Sequence, residues 1–284
     1  MKMQDKVAIV CCSNGLPIKA ETILEQLVNI LNNMGLMPVL SEYIFIKDMV
    51  FNGNGEQRAK ALMDFYQDKD IKAIFDISGG DVANEILPYL DYEIIKANNK
   101  PFYGYSDLTT LINAIYTMTG NSSVLYQVRN LVGVDMSRQQ DDFYNTLFNQ
   151  KNSLYDFTYE FIQGNSMQGI IVGGNIRCLL KLAGTNYWPD MNKKILILES
   201  RSGNIATMTT YFSQLKQIGV FEKINGLILG TFSELESQVS FDIIIELVQQ
   251  YVRVDLPIIK TDKIGHGFDS KAIKIGEFRE FSTR

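Results

Sequence analysis

Lys100-Pro101-Phe102-Tyr103-Gly104-Tyr105-Ser106-Asp107-Leu108-Thr109 is the stretch that decides the fold. A short apolar run, Phe102–Tyr103, ends at a glycine and turns through Tyr105-Ser106-Asp107. It then passes directly into the helical pattern of Leu108–Met118. Strand, tight turn and helix in this order are the unit of a parallel sheet covered by helices. The same order recurs upstream. Val7–Cys11 runs into Ser13-Asn14-Gly15, and Ile23, Leu24, Leu27, Val28, Leu31 and Met34 follow at helical spacing, with Gly35 where a helix would stop. Met37–Leu40 reads as a strand, and Ala59, Leu62, Met63 and Tyr66 as a helix face. Ala73–Ile77 reads as a strand closing on Ser78-Gly79-Gly80-Asp81.

Asp135–Asn152 is polar and rich in Gln, Asp and Asn, and reads as a linker or a crossover segment between two domains, 1–150 and 151–284. A length of 284 residues fits two units at about 100–200 residues each. Beyond the linker, Gly169–Val172, Ile195–Leu198 and Leu227–Leu229 read as buried strands, and Ile243–Val252 as a helix. Ala272–Phe281 reads as a strand or hairpin. The fold class is therefore α/β.

Bulk chemistry narrows the function. A net charge of -5, from 27 basic and 32 acidic residues mixed along the chain, argues against nucleic acid or an anionic membrane as partner. Cys11, Cys12 and Cys178 form no C-x-x-C pair, and the chain has a single histidine. Neither a disulfide framework nor a metal site is expected, and no cofactor. The apolar run Val7–Cys12 is too short for a secretory core or a membrane span, so a soluble, cytoplasmic protein is expected.

Ligands of open parallel sheets bind where strands end and helices begin. Ser106 stands at such a turn, where helix N–H groups favour a developing oxyanion; a serine there also caps helices for structural reasons alone. The Gly79-Gly80 backbone could form an anion-binding nest or merely a tight turn. His266, the sole histidine, lies in Ile264-Gly265-His266-Gly267. It is the side chain suited to be a base near neutrality, and its flanking glycines allow close approach to another segment; a surface or structural histidine is the plainer reading. Glu199 ends Ile195-Leu196-Ile197-Leu198, where a carboxylate must be paired or reach water. Trp188, in Gly184-Thr185-Asn186-Tyr187-Trp188-Pro189-Asp190, is either a loop contact or a platform for substrate.

These motifs, in this order, resemble the LD-carboxypeptidase family of serine peptidases, which includes the microcin C immunity peptidases. The resemblance rests on Ser78-Gly79-Gly80, Leu87-Pro88-Tyr89-Leu90-Asp91-Tyr92, Lys100 through Thr109, Gly173-Gly174-Asn175, Gly184-Thr185, Leu196-Ile197-Leu198-Glu199, Gln214-Leu215-Lys216 with Gly219, and Gly265-His266. It covers most of the chain. It implies a flavodoxin-like, parallel-sheet N-terminal domain and a smaller, β-rich, swivelling C-terminal domain, with the active site between them. Ser106 falls on the family's nucleophile, Glu199 on its acid and His266 on its base. The backbone N–H of Asp107 and one from Gly79-Gly80 would form the oxyanion hole. The chain departs from the pattern at Tyr126-Gln127, where Gly-Pro is usual, at Thr210, where an arginine is usual, and at Cys11-Cys12-Ser13, where the family has small-Pro-Ser.

The resemblance leaves two substrates open: the LD-bond before terminal D-alanine in a murein tetrapeptide, or the bond joining peptide to nucleotide in a microcin-like antibiotic. A non-catalytic peptide-binding module is the alternative of another class. A terminal carboxylate must be held by donors, and Arg177, just after Gly173-Gly174-Asn175, is either that clamp or a solvated helix charge. A homodimer is the expected assembly.

Overall fold

The computed structural model describes residues 1–283. Five strands form in the first half: β1 (Lys6–Val10), β2 (Met37–Leu40), β3 (Ile71–Asp76), β4 (Phe102–Gly104) and β5 (Ser123–Leu125). Seven follow: β6 (Glu160–Gln163), β7 (Ser166–Asn175), β8 (Ile195–Ser200), β9 (Gly226–Phe232), β10 (Ile258–Lys260), β11 (Ile273–Ile275) and β12 (Phe278–Ser282). They make two six-stranded sheets, ordered β11-β5-β4-β3-β1-β2 and β12-β7-β8-β9-β10-β6. In the first sheet β1 to β5 pair in parallel and only β11 runs antiparallel. In the second, β7-β8-β9-β10 are parallel, with β12 and β6 antiparallel at the edges. The α/β class and the parallel first sheet stand as expected.

Alternation along the central strands separates three cores. Val7 and Ile9 of β1 face a cluster beneath the helix Glu21–Asn33, with Leu24, Leu27 and Leu31. Leu196 and Leu198 of β8 face the helices of the second half, with Phe212, Phe221 and Val248. The other faces, Ala8 and Val10 of β1 and Ile195 and Ile197 of β8, belong to a single cluster. The two sheets thus share one apolar core. At about 25 cal/mol per Å² of apolar surface removed from water, burial of this kind is the main stabilising term.

The halves are also locked by polar contacts where the helix Thr109–Thr119 meets β7. Asn113 Nδ2 donates to the Gly173 carbonyl, and its Oδ1 accepts from the Gly173 N–H, both at 2.9 Å. The Asn175 N–H donates to Thr109 Oγ1 at 3.0 Å. Gly173, at φ +110°, leaves no room for a side chain: a Cβ there would lie 2.2 Å from the Ile197 carbonyl oxygen. Close backbone approach is what the Gly173-Gly174-Asn175 motif provides.

Two expectations need correction. The linker reading of Asp135–Asn152 gives way to a helix, Met136–Phe148, because Gln139, Phe143 and Leu147 recur every four residues and are buried. Phe143 packs against Phe75, Tyr103 and Tyr126. Polar residues on the remaining faces hid that narrow stripe. Ala272–Phe281 is neither one strand nor a hairpin. Gly276, at φ +88°, turns the chain between β11, which pairs with β5, and β12, which pairs with β7. The chain end therefore stitches both sheets, and β11 belongs to the first. No helix among the described residues is long and apolar enough to cross a membrane.

Candidate active site

Ser106 leaves β4 through a sharp bend. Its φ of +56° lies in the left-handed region, which costs a non-glycine residue about 1–3 kcal/mol. The motif lacks the second glycine of the usual nucleophile elbow, yet the backbone makes the same kind of strained turn. Ser106 is not a helix cap. Tyr105 and Leu108 occupy the cap positions before the short 3-10 turn and the following helix, and neither makes a side-chain cap bond.

The Asp107 side chain is fully buried and ties three segments to this bend. Oδ2 accepts from Ser13 Oγ at 2.6 Å and from the Ala83 N–H at 2.8 Å, and Oδ1 accepts from Lys181 Nζ at 2.5 Å. Asp76 supports the same loops. It accepts from the Cys12 N–H at 2.8 Å and from the Ser78 N–H and Oγ at 2.7 and 2.6 Å, while burial pushes its carboxyl up. Fully buried Arg58 holds the Cys12 and Ser13 carbonyls at 2.7 and 3.1 Å. None of this was legible as function in the sequence, because the partners lie far apart in the chain.

Gly79 and Gly80 lie beside Ser106. A Cβ on Gly79 would come 3.9 Å from Ser106 Cβ, whereas one on Gly80, at φ +131°, would strike the Asn14 side chain at 2.2 Å. The two glycines should therefore respond differently to alanine. Gly80→Ala is expected to lower stability by about 1–3 kcal/mol through strain and clash, read as a fall in Tm. Gly79→Ala should keep the wild-type Tm and lower activity, because its methyl would rest in van der Waals contact with Ser106 and narrow the space in front of it. Equal Tm losses in both variants would contradict this division of roles.

Glu199, near the end of β8, and His266 meet across the second sheet. His266 Nδ1 donates to Glu199 Oε2 at 2.6 Å, with both side chains almost fully buried. A carboxylate oxygen only accepts, so Nδ1 carries the hydrogen and Nε2 offers its lone pair. Nε2 is buried and has no hydrogen-bond partner among the described residues. Gly265, at φ +148°, brings this turn against Thr231, whose Oγ1 would lie 1.9 Å from a Cβ. Ser106 and Glu199 line one narrow cavity together with Tyr105, Gln127, Gly265 and Ser270. The Tyr105 ring stands 4.9 Å from the imidazole. Ser106, Glu199 and His266 thus come from the ends of two sheets to one place.

Arg177 and Trp188, the expected substrate contacts, have protein partners of their own. Arg177 pairs with Asp81 and donates to the Gly80 carbonyl at 3.0 Å, which makes it a brace for the glycine turn rather than a free clamp. Trp188 is half-buried against both the shared core and the helical core of the second half, and does not line the Ser106 cavity. A roomier cavity of about 600 Å³, lined by Asp156–Phe161, Ser282 and Thr283, holds no nucleophile–base pair. The cysteines are buried, and burial pushes all three thiols up, away from the reactive thiolate.

The LD-carboxypeptidase N-terminal domain matches residues 7–126, and the LD-carboxypeptidase C-terminal domain matches 168–280. The chain is 28% identical to the microcin C7 self-immunity protein MccF of Escherichia coli over 72% of its length and 68% of the relative's. It is 25% identical to a Bacillus subtilis protein named "Probable murein peptide carboxypeptidase", over 89% and 82%. Its fold is similar to that of muramoyltetrapeptide carboxypeptidase from Oxalobacter formigenes, with a TM-score of 0.83 at 21% identity, covering 98% and 95% of the two chains. With both of its domains matched in order, the chain belongs to the LD-carboxypeptidase family, a family of peptidases.

Proposed function

We propose that this protein is a serine peptidase that releases terminal D-alanine from murein tetrapeptides by hydrolysing the LD-peptide bond. The observation that carries the reading is the 2.6 Å Glu199–His266 pair, whose free Nε2 shares a site with a serine on a strained strand-to-helix turn. Ser106 Oγ attacks the amide carbonyl carbon as His266 Nε2 takes the hydroxyl proton. The negative charge that moves to the carbonyl oxygen is met by the Asp107 N–H and an N–H of Gly79-Gly80. Collapse breaks the C–N bond, and His266 returns the proton to the leaving amine. Water, deprotonated by the same imidazole, then attacks the acyl-enzyme and frees Ser106. Glu199 stays ionised throughout and stabilises the transient imidazolium.

Ser106 and His266 are not hydrogen-bonded to each other, and pairs of this kind often tighten only around substrate. The reaction needs no metal or cofactor. The 28% identity to the MccF protein favours one other substrate, a peptidyl-nucleotide. The test offers the purified protein three tetrapeptides, ending in D-alanine, in its L-epimer and in the C-terminal amide, beside a peptidyl-nucleotide, with products identified by mass spectrometry. Release of D-alanine from the first alone is the expected result. Equal release from all three peptides would remove the LD specificity, and cleavage of the nucleotide conjugate alone would reassign the substrate.

A further inference from the structure

Most half-buried or buried cations of this protein have a visible counter-charge. Arg58 pairs with Glu85, Lys181 with Asp107, Lys260 with Glu236, and Lys271 with Asp142. Arg129 does not. Its Nε is buried without a hydrogen-bond partner, and no acidic side chain among the described residues forms an ion pair with it. Arg129 is half-buried, and a guanidinium whose Nε is closed off from water without an acceptor gains from an anion placed beside it.

The place is beside the candidate active site. Arg129 sits in the 3-10 helix Val128–Val132. Gln127, two residues before it, lines the Ser106 cavity. Asn130, the next residue, accepts from Gln127 Nε2 at 3.1 Å and donates to the Gly267 carbonyl at 3.3 Å, next to His266. Arg129 is thus carried on a strap between the nucleophile side and the histidine turn. Burial pushes the Tyr105 phenol up, and the charges of Arg129 and Arg201 pull against it, so both guanidinium groups are felt at the residue preceding Ser106. Arg201, two residues beyond Glu199, is exposed.

We propose that Arg129 binds the terminal carboxylate of the substrate, on the leaving side of the bond that Ser106 attacks. This rests on the carboxypeptidase reading above. A terminal carboxylate carbon is two bonds from the scissile nitrogen, so its clamp must lie close to the nucleophile, and a guanidinium fork matches a carboxylate bidentately. Arg177, the residue singled out from sequence, is already occupied by Asp81 and Gly80. The signal for Arg129 was a lone charge inside Val128-Arg129-Asn130-Leu131-Val132.

The test measures kcat/KM for the D-alanine tetrapeptide and its C-terminal amide with wild type, Arg129→Ala and Arg129→Lys. The acid-over-amide ratio should fall about a hundredfold in Arg129→Ala, mainly through KM, and be partly restored by lysine, which keeps the charge but not the fork. Tm should stay level or rise in Arg129→Ala, since an unpaired charge is removed; a purely structural arginine would lower it. Calorimetric binding of both peptides to Ser106→Ala protein separates this proposal from the reaction itself. If wild type cleaves neither peptide, the reaction fails, and the acid-over-amide binding ratio, with and without Arg129→Ala, still decides the anion site. Equal binding of acid and amide, or an acid preference that survives Arg129→Ala, overturns it.

Discussion

Ser106→Ala is expected to lower kcat by roughly five to six orders of magnitude, leaving the fold unchanged, because members of a nucleophile–base unit fail together when one is removed. The stability half of this result follows from local structure. Ser106 caps neither the 3-10 turn nor the helix Thr109–Thr119, so deleting its hydroxyl removes no cap bond. The strained φ of +56° is held from outside by Asp107, Ser13, Ala83 and Lys181, and alanine tolerates that region no worse than serine. The activity half follows from scarcity. Cys11, Cys12 and Cys178 are buried with thiols pushed up, so none is a substitute nucleophile. Hydrolysis of the tetrapeptide, followed by mass spectrometry beside a thermal melt, reads both halves. Retention of most activity at unchanged Tm would end the serine mechanism. Loss of activity together with loss of fold would call for Ser106→Gly, which keeps the turn without the hydroxyl.

How much of this was legible in the sequence depends on the kind of interaction. Strand-turn-helix order carried the parallel sheet, because Phe102–Tyr103 and the periodic run after Ser106 differ sharply in pattern. The helix Met136–Phe148 was hidden, because three buried positions in thirteen residues read as polar linker. The pairing of β11 with β5 and of β12 with β7 was invisible, since one short segment serves two sheets and nothing local names its partners. The candidate site shows the same division. Ser106, Glu199 and His266 could be chosen by residue type and position, and the structure brings them together. The Asp107 bonds to Ser13 and Lys181 span 94 and 74 residues of chain, and no spacing rule reaches that far. The pairing of Arg177 with Asp81 was equally hidden, because its place after Gly173-Gly174-Asn175 gives no hint of it.

Glu199→Gln is expected to fold normally and to lower kcat by about 10⁴-fold, and His266→Ala to match the loss in Ser106→Ala. Glutamine is nearly isosteric with glutamate, so the fit against Gly230, whose Cβ position lies 3.0 Å from Glu199 Cβ, survives. What changes is charge and hydrogen-bond direction. The carboxylate now 2.6 Å from Nδ1 can only accept, which fixes the tautomer that leaves Nε2 free for the serine proton. An amide can turn its NH₂ toward the ring and select the opposite tautomer. Even in the accepting orientation it supplies no charge to stabilise the imidazolium formed during attack. His266 is the only histidine, so no other imidazole can take over in His266→Ala. The double variant Ser106→Ala with His266→Ala distinguishes a cooperating pair from two independent contributions. A pair predicts a loss no larger than either single change, whereas a product of the two losses would mean that serine and histidine act apart. Wild-type turnover in Glu199→Gln would show that the buried pair serves the fold rather than the reaction.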